Sequence, residues 1–434
     1  MKKISIQSSE SFDAAVAQLC HSFVRTDADR VIAEKIESVR AIVSAVHELG
    51  DDAVADYTKR FDGADLRPEQ FEVAPAEIDA AMASVDAELI AALKRAHENI
   101  KRFHAKNLKL SWEEKLEDGT ILGQRITPIT SAGVYVPGGK AFYPSSVLMN
   151  IVPARVAGVE EIVMVSPPSF KGGIHPVVLA AAKIAGATRV FRVGGAQAIA
   201  ALAYGTKTIP QVLKITGPGN TYVTAAKSLV RSIVDIDTEA GPSEVTVIAD
   251  AHANPRLVAG ELLAQSEHDE EASGILITDS AALCDKVAKA IDEELKTLSR
   301  RAIIEKSLAA NGAMVVVRDL NEAVRLSNLL GPEHLAIYTK DPRAVYEKIT
   351  AAGSIMLGEA TTVVLGDYYA GPNHILPTGR RARFASPLTA ENFRKVSSVI
   401  EFTSERVKQA APDVLRLAKA EELTAHARAI EMRQ

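Results

Sequence analysis

The chain has 434 residues, 47% of them hydrophobic and 24% charged, the proportions of an ordinary soluble globular protein with material for two or three domains. Its net charge of −5, with both signs interspersed, provides no basic stripe and excludes DNA or RNA as an expected partner. Cys20 and Cys284 are the only cysteines and form no C-x-x-C pattern, which excludes a disulfide framework and fits a reducing cytoplasm; the opening lysines precede no apolar segment and no run approaches membrane-spanning length, so neither a signal peptide nor a membrane partner is expected.

Residues 1 to about 110 read as mostly helical, with segments 27–49, 51–60, 76–84 and 86–107 repeating leucine, alanine and valine at helical spacing. Asp51 and Ala74-Pro75-Ala76-Glu77 look like helix starts. His47, His97 and His104 sit among charged helix residues and are expected to be solvated. From Ile121 the pattern changes to short strands and glycine turns. Gly133-Val134-Tyr135-Val136-Pro137-Gly138-Gly139 reads as a strand followed by a turn that lets backbone approach something closely.

A strand at 161–166, a helix at 176–185 and a strand at 189–193 follow, and Gly194-Gly195-Ala196-Gln197 opens a helix at 197–204. After a strand near 211–215, Gly217-Pro218-Gly219-Asn220 opens another helix. This alternation predicts a parallel sheet wrapped by helices, with ligands off the carboxyl ends of its strands. Glycine turns at helix N-termini present N–H groups to a phosphate, but no G-x-G-x-x-G with a following ribose-binding acid is present. Tight structural turns account for these glycines equally well.

A second alternation starts at Glu244-Val245-Thr246-Val247-Ile248-Ala249-Asp250, just after Gly241-Pro242-Ser243. It continues as helix 255–268, strand 274–278, helix 280–297, strand 313–318, helix 321–330, strand 336–339, helix 343–351 and strand 354–357. Two such units face to face leave a cleft, the usual place for a small-molecule site. The first of these helices has Asn254 as N-cap and Pro255 at its first position, and Val258, Ala259, Leu262 and Leu263 form its apolar stripe. Gln265 and His268, three apart, are predicted to lie side by side on one face, where both can touch one cation or ligand. An amphipathic helix with a wet last turn explains the same stretch.

Gly331-Pro332-Glu333-His334-Leu335 places a carboxylate beside an imidazole in a turn. The two form an acid/base pair if they face one another, and are merely solvated if they do not. In the loop 366–374, Asp367 and His374 are potential ligands, with an Asx-turn and a packed loop histidine as the structural alternatives. After Pro377 the alternation stops. Residues 381–434 read as a tail with helices near 389–394 and 404–410 and a last amphipathic helix from about Pro412, bearing Glu421 and His426. The apolar stripe of that tail needs a cover, which a second subunit would provide.

Eight stretches, in order, carry a resemblance: GVYVPGGKAFYPSSVLMN, RVGGAQAIAALAYGT, ITGPGN, AGPSEVTVIAD, LLAQSEHD, GPEHL, GDYYAGPNHILPTG and EELTAHA. Together they resemble the histidinol dehydrogenase family over essentially the whole chain. The resemblance implies an α/β protein of two incomplete Rossmann-like domains facing across a cleft, with a helical N-terminal segment and a helical C-terminal tail used in dimerisation. It implies an N-terminal arm at 1–25, a discontinuous catalytic and metal domain at 26–130 and 243–380, an NAD-binding domain at 131–242 and a dimerisation tail at 381–434.

The activity implied is oxidation of L-histidinol through L-histidinaldehyde to L-histidine, reducing NAD+ at each step, in a cytoplasmic homodimeric zinc enzyme. Carried over residue by residue, zinc would be held by Gln265, His268 and Asp367 of one subunit and the partner subunit's His426. Such a set leaves coordination positions open for the imidazole and amino nitrogens of histidinol. The same resemblance makes His334 the general base and Glu333 the activator of water. It puts Ser243, His374 and the partner subunit's Glu421 at the substrate, along with His334 and the zinc ligands, and Tyr135, Gln197 and Asn220 at the cofactor. Competing readings are a related dehydrogenase of another small alcohol, such as a sulfonated propanediol, a zinc hydrolase without NAD+ dependence, and a metal-binding scaffold without activity.

Overall fold

Three sheets organise the chain, seen in a computed structural model that describes the backbone of residues 1–23, 26–138, 142–238 and 241–434, and the side chains of all of these except 21–34. Gly139, at the end of the first predicted glycine turn, lies outside the described residues.

The largest sheet has six parallel strands in the order Lys2–Ser5, Ala313–Val316, Ser273–Thr278, Glu244–Ala249, His334–Tyr338 and Ser354–Leu357. Its inner strands are buried on both faces because helices cover both, whereas the edge strand Lys2–Ser5 is mostly exposed. Val245, Val247, Leu276, Met314 and Ala336 join one core with the helices Pro255–Ser266 and Ala281–Glu294. Ile248, Ile277, Val315 and Leu335 point the other way, to Phe12, Leu19, Leu326 and Leu330.

The second sheet has five parallel strands in the order Arg189–Phe191, Glu161–Val165, Ser131–Tyr135, Lys214–Thr216 and Asp235–Ile236. One face packs against the helices Ala87–Ala105, Pro144–Ala157 and Pro176–Ala185. The other packs against Thr26–Leu49, Asp51–Asp62, Gly195–Tyr204 and Thr221–Val230. The apolar stripes Val39, Val43 and Val54, and Leu93 and Ile100, thus belong to this second unit. That departs from the expected division, in which residues 26–130 go with 243–380.

The two alternations appear in the predicted order. The helix Pro144–Ala157 was not predicted: residues 146–154 are buried on every side, so no amphipathic period marks them. Strand Arg394–Glu401 pairs antiparallel with Ile121–Pro128, which pairs with Trp112–Lys115. It begins where a helix near 389–394 is expected; only the 3-10 turn Ala390–Phe393 is present, anchored by fully buried Phe393. Pro412 does not start the last helix either. Ser404–Ala420 runs through it, forgoing one backbone hydrogen bond, and a separate helix Thr424–Glu431 follows. Within one chain this tail leaves Ile400, Leu417 and Met432 about two-thirds exposed or more, at 69%, 67% and 72%. No helix among the described residues is long and apolar enough to cross a membrane.

His104 is a correction of another kind. It is fully buried, both ring nitrogens lack partners, and burial holds its pKa down to about 4. An unfolded histidine takes up a proton near pH 6.5, so between pH 6.5 and 4 the unfolded chain binds a proton that the folded chain refuses. Stability is therefore lost as pH falls through this window, by roughly 3 kcal/mol in all from this group and about 2 kcal/mol by pH 5. His104→Leu is expected to flatten that loss. Urea midpoints at pH 7 and pH 5 check it, and an equal drop in wild type and variant would remove His104 as the cause.

Candidate active site

Parallel pairing of Glu244–Ala249 with His334–Tyr338 sets His334 opposite Val245, so Glu244 and Glu333 meet just ahead of the paired residues. Gly331, in the left-handed region with φ 55°, ends the helix Leu320–Leu330 and turns the chain into this strand. The Glu244 amide donates to Glu333 Oε2 at 2.7 Å, and the Glu333 amide donates to Glu244 Oε2 at 3.4 Å. Glu244 Oε1 accepts from the Gly379 amide at 2.6 Å. Glu244, Glu333 and His334 are all buried. Burial first, and the Glu333 carboxylate second, push the Glu244 carboxyl up to about 8.

His334 Nδ1 lies 3.1 Å from the Glu244 carbonyl oxygen, which only accepts, so Nδ1 carries the hydrogen. The same nitrogen is 3.4 Å from Glu333 Oε2, and Nε2 is 3.5 Å from Asp367 Oδ1. The neighbouring side chains of the Glu-His pair therefore do face one another. Burial works against an imidazolium here, but the carboxylates of Glu333 and Asp367 outweigh it and raise His334 well above its ordinary value. Burial alone would raise Asp367, yet the His334 imidazole holds it below the usual carboxylate range.

The acid/base pair sits at the amino edge of the six-stranded sheet, since His334 is the first residue of its strand. The carboxyl-end expectation concerned the first alternation; in this second unit the pair lies off the amino ends of the strands. The Glu244 and Glu333 carboxyls accept from backbone amides at this edge. Glu244 was missed; its signal was a lone carboxylate opening the strand Glu244–Ala249, whose other residues are neutral and all buried.

Asp367 lies in a short helix, Val363–Tyr368, rather than in the expected loop. Its carbonyl accepts from His374 Nδ1 at 3.0 Å, and His374 Nε2 is 3.5 Å from Ser146 Oγ on the helix Pro144–Ala157 of the other unit. Burial lowers the His374 pKa. Asn373 Nδ2 donates to the Met149 carbonyl of that same helix at 2.6 Å, so the two units touch beside Asp367. Ser243 is half-buried, and its carbonyl accepts from the Ser273 amide at 2.9 Å.

Gln265 is buried and its Oε1 has no hydrogen-bond partner. His268 is exposed and lies beyond the end of its helix, which stops at Ser266 with Glu267 as C-cap; it therefore does not share a helix face with Gln265 as predicted. Electrostatically it is among the groups that act on the Asp367 carboxylate, after His334 and His374. Glu267 and residues 269–271 are exposed. Glu421 and His426 are exposed on the tail, and among the described residues no side-chain hydrogen bond or ion pair joins them to this site. No group of three or more His, Cys, Asp or Glu side chains that could hold a metal occurs among the described residues.

The three expected cofactor residues cluster at the carboxyl edge of the five-stranded sheet. Tyr135 Oη accepts from the Gly195 amide at 3.3 Å, and burial pushes the phenol up to about 12. A side chain at Gly195, φ 66°, would meet Gln197 Oε1 at 2.6 Å, and one at Gly217 would meet the Tyr135 carbonyl oxygen at 2.0 Å. Both turns thus need glycine for close approach. Fully buried Gln197 has no partner for either amide atom. Asn220 caps the helix Thr221–Val230, accepting from the Tyr222 and Val223 amides at 3.0 and 3.2 Å. Beneath it, the buried Lys227–Asp237 pair clamps Gly217: Lys227 donates to its carbonyl at 3.1 Å, and Asp237 accepts from its amide at 2.7 Å.

A base that can take and return a proton, next to a parallel sheet whose carboxyl edge offers glycine turns and an unpartnered amide, is the equipment of a nucleotide-linked dehydrogenase; the chain is an oxidoreductase. A sequence profile of the histidinol dehydrogenases matches residues 25–434. Histidinol dehydrogenase of Heliobacterium mobile is 50% identical over 395 residues, 91% of this chain and 92% of that one. That of Aquifex aeolicus is 51% identical over 405 residues, 93% and 94% of the two chains. The crystal structure of histidinol dehydrogenase from Elizabethkingia anophelis superposes with a TM-score of 0.92 at 35% identity, covering 100% of this chain and 98% of the other. The chain belongs to the histidinol dehydrogenase family, which is NAD-dependent.

Proposed function

We propose that the chain is a cytoplasmic, homodimeric enzyme that oxidises L-histidinol to L-histidinaldehyde and then to L-histidine, the end of histidine biosynthesis. The observation that carries this reading is the buried Glu333–His334 pair, oriented by Glu244 and facing Asp367. With Nδ1 donating to a carbonyl, His334 Nε2 is the atom that takes the alcohol proton. Glu333, one ring nitrogen away, draws a proton from water for attack on the aldehyde, and Nε2, after passing its first proton to solvent, takes the proton of the hydrate. NAD+ accepts the hydride at each stage.

The residues fit a zinc ion. Gln265 Oε1 is an orphaned buried oxygen, Asp367 a carboxylate held ionised, and His268 an imidazole, to which the partner subunit's His426 would add the fourth donor. Such a set mixes donors from two chains, so one chain alone does not enclose it. Zinc supplies a Lewis-acidic seat for the imidazole and amino nitrogens of histidinol. Ser243, His374 and the partner subunit's Glu421 complete the substrate pocket, and the uncovered apolar tail is the surface that a second copy would bury.

Purified protein given histidinol and NAD+ is expected to produce about two NADH per histidinol, and chelation to abolish this without loss of secondary structure. Turnover of a sulfonated propanediol in place of histidinol would overturn the substrate. Unfolding on chelation would make the metal structural.

A further inference from the structure

Asp62 is the last residue of the helix Asp51–Asp62, which packs against Gly195–Tyr204, the helix that opens beside Tyr135 and Gln197. Its Oδ2 is buried without a hydrogen-bond partner. A carboxylate at a helix C-terminus also faces the negative end of the helix dipole. The basic side chains of that last turn do not relieve it: Lys59 pairs with Asp65 at 2.9 Å and Arg60 with Asp56 at 3.4 Å. Burial accordingly pushes the Asp62 carboxyl up to about 6, and its charge is felt at the Tyr135 phenol. A lone carboxylate kept under three unfavourable conditions, on a helix packed against the one that carries the fully buried and likewise unpartnered Gln197 amide, points to a ligand rich in hydroxyl donors.

The sheet decides which part of the ligand. The helix Pro144–Ala157, which reaches His374 through Ser146, covers one face of the five-stranded sheet; Asp51–Asp62 and Gly195–Tyr204 cover the other. A dinucleotide laid across the carboxyl edge with its nicotinamide toward His334 therefore leaves its adenosine half on the Asp62 side. Resting on the NAD-linked reading above, we infer that Asp62 accepts the 2′- and 3′-hydroxyls of the adenosine ribose and excludes the 2′-phosphorylated cofactor. The acid that ordinarily follows a glycine-rich fingerprint is here supplied from a helix far earlier in the chain.

The test is equilibrium titration of the apoprotein with NADH and with NADPH, followed by nucleotide fluorescence. Asp62→Asn and Asp62→Ala are expected to weaken NADH by about 10–100-fold, the scale of a hydrogen bond to a charged group, and to bring the two affinities together. The thermal midpoint without nucleotide is expected not to fall, because a buried unpartnered charge is removed. If the wild type binds NADH and both variants keep its affinity and its preference over NADPH, the role of Asp62 is overturned while the dehydrogenase reading stands. If the wild type binds neither nucleotide, that reading fails and this inference with it.

Discussion

Replacing His334 by asparagine lowers turnover of histidinol by about 10²–10⁴-fold, the range for loss of a positioned general base. Asparagine is chosen because its amide can still donate to the Glu244 carbonyl that now accepts from Nδ1, so the start of the strand is preserved while the proton acceptor is lost. If both oxidations use the same nitrogen, as proposed, the loss appears with histidinol and with histidinaldehyde as substrate. Glu333→Gln separates the stages: it removes the group proposed to activate water and is expected to slow aldehyde oxidation more than alcohol oxidation. Steady-state rates with each substrate measure this. A His334→Asn enzyme that turns over at the wild-type rate would remove His334 from the mechanism.

Mixing two inactive variants, His426→Ala and His334→Ala, restores about a quarter of wild-type activity once subunits exchange, if each site draws one histidine from each chain of a two-fold dimer. Half of the dimers are then hybrids, and in each hybrid one of the two sites has both residues intact. The exposed position of His426 on the tail motivates the experiment. No recovery, with exchange demonstrated by mass-tagged subunits, would mean that the site is built within one chain.

Much of the architecture could be read locally. Asn254 does cap the helix at Pro255, accepting from the Arg256 amide at 3.0 Å, and strand Ser354–Leu357 lies where apolar runs and turns place it. Of the residues taken from the family resemblance, Tyr135, Gln197 and Asn220 lie at one sheet edge and Glu333 and His334 at the other, 3.4 Å apart, whereas Glu421 and His426 stay on the exposed tail. What was not legible is long-range. The sequence cannot state that Glu244 faces Glu333, because their meeting depends on parallel register between strands 89 residues apart. His104 was misread because its helix has polar neighbours on the sequence, yet its own side chain turns to the sheet-facing side. The end of the helix at Ser266 likewise depends on capping bonds that no periodicity reveals.

The pairing of Arg394–Glu401 with Ile121–Pro128 also sets a clock on synthesis. Ile121–Pro128 gains Trp112–Lys115 on one side as soon as it is made, but its other edge waits until residue 401 has left the ribosome. At 5–20 residues per second that interval is roughly 15–55 s, during which unpaired amides and carbonyls of that strand are open to any extended segment nearby. A nascent chain arrested before residue 394 is thus the species in which aggregation through this edge, and its protection by a chaperone, would be concentrated.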